Sequence, residues 1–444
     1  MELAEAFDLG SGAILAVVEV DAFHYLLPLR EQDADLRLSA DGDGTWRALA
    51  IAMGEGRTIP SLPRATVGAG APAMVTAALV CRPAAGLRAI GLAGASDVAA
   101  LAERPVGADQ SNTSVVLGER LILKVFRRVE PGLNPDLELN AWLSEEVGFE
   151  AVPRLAGFVE LVTADGAATI ALAQEFLPDA ADAYESTAER LTAWILAPGE
   201  VTVQFATDEA AVLGDLTAYL HAALADGRGQ PDFEPREAGR DDLRAWRRAA
   251  TVQLQRAVDA VHGPEGAELR SMAPAIADEL TVFEAASGVP ILTRVHGDYH
   301  LGQVLETPAG YRIIDFEGEP TRPLEERRRR NSPLRDVASM LRSIDHVGRS
   351  ARRRAEERRG GIVESPGLDI EAWLARARER FLESYRRGLR ERGAPIEVDV
   401  DLLRAFEFEK ECYEFIYAAT YLPEWLWAPL EGMRALVASS PSRS

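Results

Sequence analysis

The chain has 444 residues, 47% of them hydrophobic and 27% charged, with a formal net charge of −22. That composition excludes a disordered or fibrous chain, and at about 100–200 residues per domain the length allows two or three domains, each with its own core. Acidity of this size argues against a general nucleic-acid binder, whose affinity rests on cationic side chains meeting phosphate, and the two cysteines, Cys81 and Cys412, exclude a disulfide framework or a CxxC zinc pattern.

The opening Met1-Glu2-Leu3-Ala4-Glu5 lacks the positive start and apolar run of a signal peptide. The longest uncharged stretch, Ala65 to Cys81, is interrupted by Gly68, Gly70 and Pro72 and is too short for a bilayer. The expected location is cytoplasmic, in keeping with the few cysteines, and neither a membrane nor a nucleic acid is an expected partner. The arginine runs Arg327–Arg330 and Arg352–Arg354 each adjoin glutamates, which reads as solvated mixed-sign faces.

Residues 1–90 read as a β-rich N-terminal cap with short runs at Ala13–Val20, His24–Leu29 and Ala48–Met53, separated by Gly and Asp-Gly turns. Residues 91–180 read as a small α/β lobe. Ser114–Leu117 and Leu121–Phe126 flank Gly118-Glu119-Arg120 as a hairpin. Pro135–Glu146 follows as a helix with Asn134 at its N-cap, and Ala168–Phe176 is a strongly apolar strand. Residues 181–444 are mostly helical, with helices predicted over Ala210–Ala225, Arg240–Val261 and from Arg335 onward. A β island interrupts them at Leu292–Val295 and Tyr311–Ile314. The fold class this order implies is α+β: a bilobal, protein-kinase-like arrangement with a β-rich cap and a helical C-lobe.

Phosphoryl transfer depends on positioning and charge neutralisation, so its parts are few: a loop over the phosphates, a lysine on them, an acid that orients the lysine, a base for the attacking hydroxyl, and oxygen ligands for magnesium. Each part has a candidate, in that order. Ser111, Asn112, Thr113 and Ser114 stand where the covering loop belongs. Lys124 lies in the apolar run Leu121–Phe126, and Glu138 on the next helix is the candidate ion-pair partner. Asp298, in His296-Gly297-Asp298, is the candidate general base. Gln303 and Asp315 offer the hard oxygen ligands that Mg²⁺ prefers. His296 and His300 are spaced like a helical zinc pair, but Gly297 argues against a helix and no third ligand is evident.

These motifs resemble the aminoglycoside phosphotransferase branch of the kinase-like fold, although that branch usually has Asn where this chain has Gln303. Gln110–Val116, Leu121–Arg128, Asn134–Glu138, His300–Leu305, Asp315–Pro320 and Ser332–Val337 further resemble the actinobacterial maltokinase family, over roughly residues 105–430. The resemblance implies ATP as co-substrate, Mg²⁺, and adenine at a hinge formed by Gln174, Glu175, Phe176 and Leu177. It also implies a sugar held by the helix around Lys410, Glu411, Glu414 and Tyr417, with Trp425 nearby and Asp298 facing the acceptor hydroxyl.

Maltokinases resemble Asp-Lys-Ala-x-Tyr-Glu and Tyr-Glu-Ala-Arg on that helix, whereas this chain has Glu411 at the small apolar position and Thr420 at the arginine. Glu407, Glu411 and Glu414 share a face at i, i+4 and i+7, open to two readings: a solvated face, or a site for a cationic substrate. Trp425 and Trp427 are a stacking wall for a sugar or buried anchors. Related actinobacterial kinases that phosphorylate glucosamine look like this sequence. The expected activity is therefore ATP-dependent phosphorylation of glucosamine to glucosamine 6-phosphate, with maltose to maltose 1-phosphate as the alternative acceptor reaction. A non-catalytic sugar-binding regulator is the alternative from another class, and the intact lysine, base and metal positions argue against it.

Overall fold

A computed structural model of the chain describes all residues except 1, 33–34, 41, 63–76, 93–94, 107–111, 197–205, 286–287, 320–321, 362–367 and 440–444. It divides into two compact units, Met1–Ala180 with Thr307–Arg327, and Ala181–Glu306 with Arg328–Ser444.

The first unit holds two antiparallel sheets. One is a meander of Glu2–Gly10, Ala13–Val20 and Phe23–Gln32, extended by Asp35–Leu38 and by Arg128–Val129. The other has seven strands in the order Thr58–Pro60, Ala78–Pro83, Leu155–Thr163, Gly166–Glu175, Leu121–Phe126, Asn112–Leu117, Glu103–Pro105. Two of these strands come from the first ninety residues, and Phe7, Leu15, Trp46, Leu79, Leu123, Val159 and Ile170 share one core. The expected boundary near residue 90 is therefore not a structural break.

A second correction concerns Ala48–Met53, which lies in a helix, Thr45–Glu55, not a strand. Its buried residues Trp46, Leu49, Ala50 and Met53 follow helical spacing, and Gly56 ends it with a left-handed φ of 66°. A short apolar run does not reveal its period, so length and flanking Gly decide. The hairpin expectation holds: Leu117 pairs with Leu121, and Gly118 and Glu119 take φ of 54° and 51° as a tight turn demands.

The second unit is helical. Its long elements are Ala183–Leu196, Asp208–Leu224, Arg240–Ala260, Gly263–Glu279, Leu334–Arg359, Ile370–Glu391, Val400–Tyr421 and Trp427–Ala438. Asp369 and Asp399 cap two of them by accepting backbone N–H bonds of the first turn. A short ladder of Arg236–Glu237 with Ile291–Leu292 leads the chain into His296. Among the described residues, no helix is long and apolar enough to cross a membrane.

The arginine runs are not simply solvated. The Arg327 side chain is buried and pairs with Glu130, while Arg352 bridges Glu371 and Glu431, and Arg354 binds Glu185 and Glu189. They tie one element to another, which a sequence window cannot reveal.

Candidate active site

The first unit gathers charge around Lys124. Alternation along its strand buries Leu123 and Val125 on one side and sends Lys124 to the other. Its ammonium lies 2.9 Å from Asp136, 2.5 Å from Asp315 and 2.6 Å from Glu317. Burial alone would lower the lysine's pKa, but the carboxylates outweigh it and hold the group well above its usual range. Burial and the neighbouring carboxylates push Glu317 up despite Lys124.

The helix carboxylate that meets Lys124 is Asp136, not the expected Glu138. Asn134 caps the helix Pro135–Ala141 by accepting from the N–H of Asp136 at 2.8 Å, which sets the helical phase. A two-residue step turns about 200° around a helix, so Glu138 cannot share the direction of Asp136. Asp136 also accepts from the N–H of Phe316 at 3.0 Å and from the Asn140 side chain at 2.8 Å. It thereby ties the Asp315 segment to the helix.

Asp315 itself takes φ 65°, a left-handed conformation that Asp tolerates better than most residues. Ligand atoms of Asp136, Asp315 and Glu317 all lie within 4.8 Å of one another. Sequence reasoning missed Asp136 and gave Glu317 no role. Asp315 is left-handed and residues 316–317 form a turn, so the approach of Glu317 to Lys124 is set by turn geometry that strand alternation does not predict.

Of the covering-loop candidates, Ser111 lies outside the described residues. Asn112, Thr113 and Ser114 begin a strand, paired with Phe126, Val125 and Lys124, so they do not form a loop. Asn112 donates to Glu317 at 2.6 Å and belongs to the lysine cluster, while Thr113 accepts from Arg127 at 3.0 Å. In the expected hinge, the Gln174 side chain is buried and donates to Asn140 at 2.9 Å. The N–H groups of Glu175 and Phe176 bind the carbonyls of Arg154 and Arg120, and Leu177 follows at partial exposure.

In the second unit, Asp336 builds the Asp298 loop. Its carboxylate accepts from the N–H of His296 at 2.8 Å and of Gly297 at 2.9 Å. Gly297 has φ 87°, which a side chain would strain. His221, fully buried, bridges Asp336 at 3.2 Å and the Tyr385 hydroxyl at 2.7 Å. Asp336 therefore stays ionised below the usual carboxylate range: burial opposes this, and His221, His296 and the Gly297 N–H prevail.

Asp298 lies 3.2 Å from Lys410, which also lies 3.0 Å from Glu414 and sits over the Tyr413 ring. Burial works to raise the Asp298 pKa, but Lys410, His300 and His296 outweigh it and lower the group below its ordinary value. His300 is pushed down by burial, and its Nδ1 accepts from the N–H of Gly302 at 3.1 Å. Its ring caps the turn Leu301–Gln303, so the zinc reading of His296 and His300 is not needed. Gln303 belongs to this turn, and Asp315 to the other unit. Tyr417 is held above its usual range by burial and the nearby charges of Glu414 and Asp298.

Glu407, Glu411 and Glu414 do not form one solvated or substrate-facing row. Glu407 is fully buried between Arg342 and Arg378, and Glu411 is fully buried against His346 at 2.9 Å. Only Glu414 stands beside Lys410. Neighbouring helices cover the other two, a tertiary fact that helical spacing does not contain. Trp425, half-buried, stacks on Trp427 at 5.9 Å, and Trp427 in turn lies against Arg353.

No protein-family profile matches the sequence. The chain is 34% identical over 440 residues to the glucosamine kinase of Streptacidiphilus jiangxiensis, covering 97% of this chain and 90% of that protein. It is 30% identical to the glucosamine kinase of Mycolicibacterium smegmatis over 337 residues, 76% of this chain and 79% of the relative. A solved glucosamine kinase in complex with glucosamine, ADP and inorganic phosphate matches with a TM-score of 0.73 and 31% identity, over 98% of this chain and 93% of that one. A sheet-bearing unit built around Lys124, a helical unit carrying Asp298, and near-full-length likeness to these enzymes lead to one assignment: the chain belongs to the glucosamine kinase family.

Proposed function

We propose that the chain transfers the γ-phosphate of ATP to the 6-hydroxyl of glucosamine, giving ADP and glucosamine 6-phosphate. The observation that carries this reading is the near-full-length likeness to a kinase holding glucosamine, ADP and inorganic phosphate. In this chain Asp298 is the base. Lys410 keeps it ionised, so it can take the hydroxyl proton as the oxygen attacks phosphorus. The new O–P bond forms as the bond from the γ-phosphorus to the bridging oxygen breaks, and ADP leaves with that oxygen.

Lys124 is the phosphate-gripping group, and Asp136 is its helix anchor in place of Glu138. Adenine is assigned to the Glu175–Leu177 backbone. Three carboxylates around one lysine leave a net negative cluster, the donor chemistry that suits a hard divalent cation. Asp315 would hold Mg²⁺ in the first unit, and Gln303, whose amide oxygen is the other expected ligand, belongs to the second unit. Bound Mg²⁺ neutralises phosphate charge during transfer. Glu414, Tyr417 and Trp425 are assigned to the acceptor, with Glu414 the carboxylate for its ammonium. Glu411 leaves that set because it is fully buried.

Purified protein with Mg-ATP, assayed against glucosamine, glucose, maltose and an aminoglycoside, tests the reading. Turnover should be fastest on glucosamine, with product phosphorylated at carbon 6. Turnover on maltose without turnover on glucosamine would replace it with the maltokinase activity.

A further inference from the structure

The helix Val400–Tyr421 presents Lys410 to Asp298, and the next residue, Glu411, points into the core. Its Oε1 accepts from Nε2 of His346 at 2.9 Å, and its Oε2 is buried with no hydrogen-bond partner among the described residues. The third wall is Gly432, where a Cβ would come within 2.2 Å of Glu411 Oε1. Glu411 thus fills the junction of three helices, Leu334–Arg359, Val400–Tyr421 and Trp427–Ala438.

Most surrounding charges are paired elsewhere, although Arg342 also acts on Glu411 through its charge, and its Nε and Nη1 are buried without a hydrogen-bond partner among the described residues. On the His346 helix, Arg342 binds Glu407, and Arg349 binds Asp345 and Glu431. Arg378 of the helix Ile370–Glu391 completes the pairing of Glu407, and Glu414 on the Lys410 helix pairs with that lysine. Glu431 comes from the third helix and also binds Arg352. His346 is the cation in hydrogen-bond contact with Glu411.

We propose that His346 is a positioning residue for the Asp298 site: protonated, it neutralises buried Glu411 and so fixes the helix segment that aims Lys410 at Asp298. The inference rests on the reading of Asp298, Lys410 and Glu414 as the acceptor site. Burial disfavours the imidazolium, but the charge of Glu411 outweighs it and holds His346 above its ordinary value. Burial likewise raises Glu411, despite His346. The sign follows. Below the raised pKa of His346 the pair is charged and closed, and as pH rises through it Glu411 becomes a buried carboxylate without its hydrogen-bonded cation. That state costs more than the closed pair, so the segment next to Lys410 relaxes.

The test is the pH profile of kcat/KM on glucosamine for wild type, His346→Gln and Glu411→Gln, with Tm measured in parallel. Wild type should lose activity through a one-proton basic limb with its midpoint above 6.5. His346→Gln should be about three- to tenfold slower at pH 6.5 and lack the limb. Glu411→Gln keeps the shape without the charge and should also lack it, so it decides the matter if His346→Gln does not fold. A limb unchanged in the variants, or a lowered Tm with superposable profiles, would overturn the proposal. Asp298→Asn separates the two readings: surviving turnover there would sink the acceptor-site assignment itself, whereas lost turnover with unchanged variant profiles would sink only the role of His346.

Discussion

Two lysines of this chain each touch carboxylates, one in each unit. Lys124 meets three, Asp136, Asp315 and Glu317, and the sum stays negative. Lys410 meets two, Asp298 and Glu414, and stands beside the Tyr413 ring. In the first cluster three acids surround one lysine, an excess of negative charge that under the proposed function would draw a metal-bound nucleotide. In the second the lysine lowers the proton affinity of one particular carboxylate, which is what a base needs if it is to remain available. In the proposed function the same pair of functional groups serves charge capture in one place and proton acceptance in the other, although acids outnumber the lysine in both clusters, three to one and two to one.

That contrast can be broken by substitution. The largest effect belongs to Asp298→Asn, which removes the proton acceptor: kcat should fall about 10²–10⁴-fold, with nucleotide affinity by calorimetry unchanged. Lys124→Met should lower kcat/KM for ATP by about 10²–10³-fold, in steady-state kinetics, while leaving glucosamine affinity intact. If both substitutions weakened nucleotide and sugar equally, the division of labour would be wrong.

Asp336→Asn comes next. The amide cannot accept from both the His296 and Gly297 N–H groups while meeting His221, so one buried donor goes unpaired. Thermal or urea unfolding should register a loss of about 1–3 kcal/mol, and kcat should drop with little change in KM for ATP.

Lys410→Met sharpens the second cluster with the smallest effect. Asp298 now titrates below its ordinary value of 3.8, so on the acid side activity falls as pH drops through that depressed pKa. Without the lysine, burial prevails and the pKa rises. The acid limb of kcat should move upward by about one pH unit, equivalent to about 1.4 kcal/mol. An unmoved limb would mean that Lys410 does not set the base.

The parts of the proposed machinery that are local can be picked out in the sequence. Lys124, Asp298, Gln303 and Asp315 stand out by residue type, spacing and order along the chain. Legibility ends where packing between distant segments decides. Asp136 rather than Glu138 meets the lysine because the Asn134 cap fixes the helical phase. Glu411 shares a helix face with Glu414 on a wheel, yet the helices bearing His346 and Gly432 cover one and not the other. Likewise the strand Ala78–Pro83 reads as part of a separate cap until it pairs with Leu155–Thr163, more than seventy residues later in the chain.

Gly432 carries a consequence for how such sequences vary. The space a side chain would need there is already taken by a glutamate oxygen, so a change at one of positions 411 and 432 bears on the other. With glutamate at 411 its carboxylate must shift before even alanine fits at 432, and a small residue at 411 removes the conflict. Among relatives the two positions should covary, and the combination of an acid at the first with glycine at the second becomes a two-letter signature that can be read from a sequence alone.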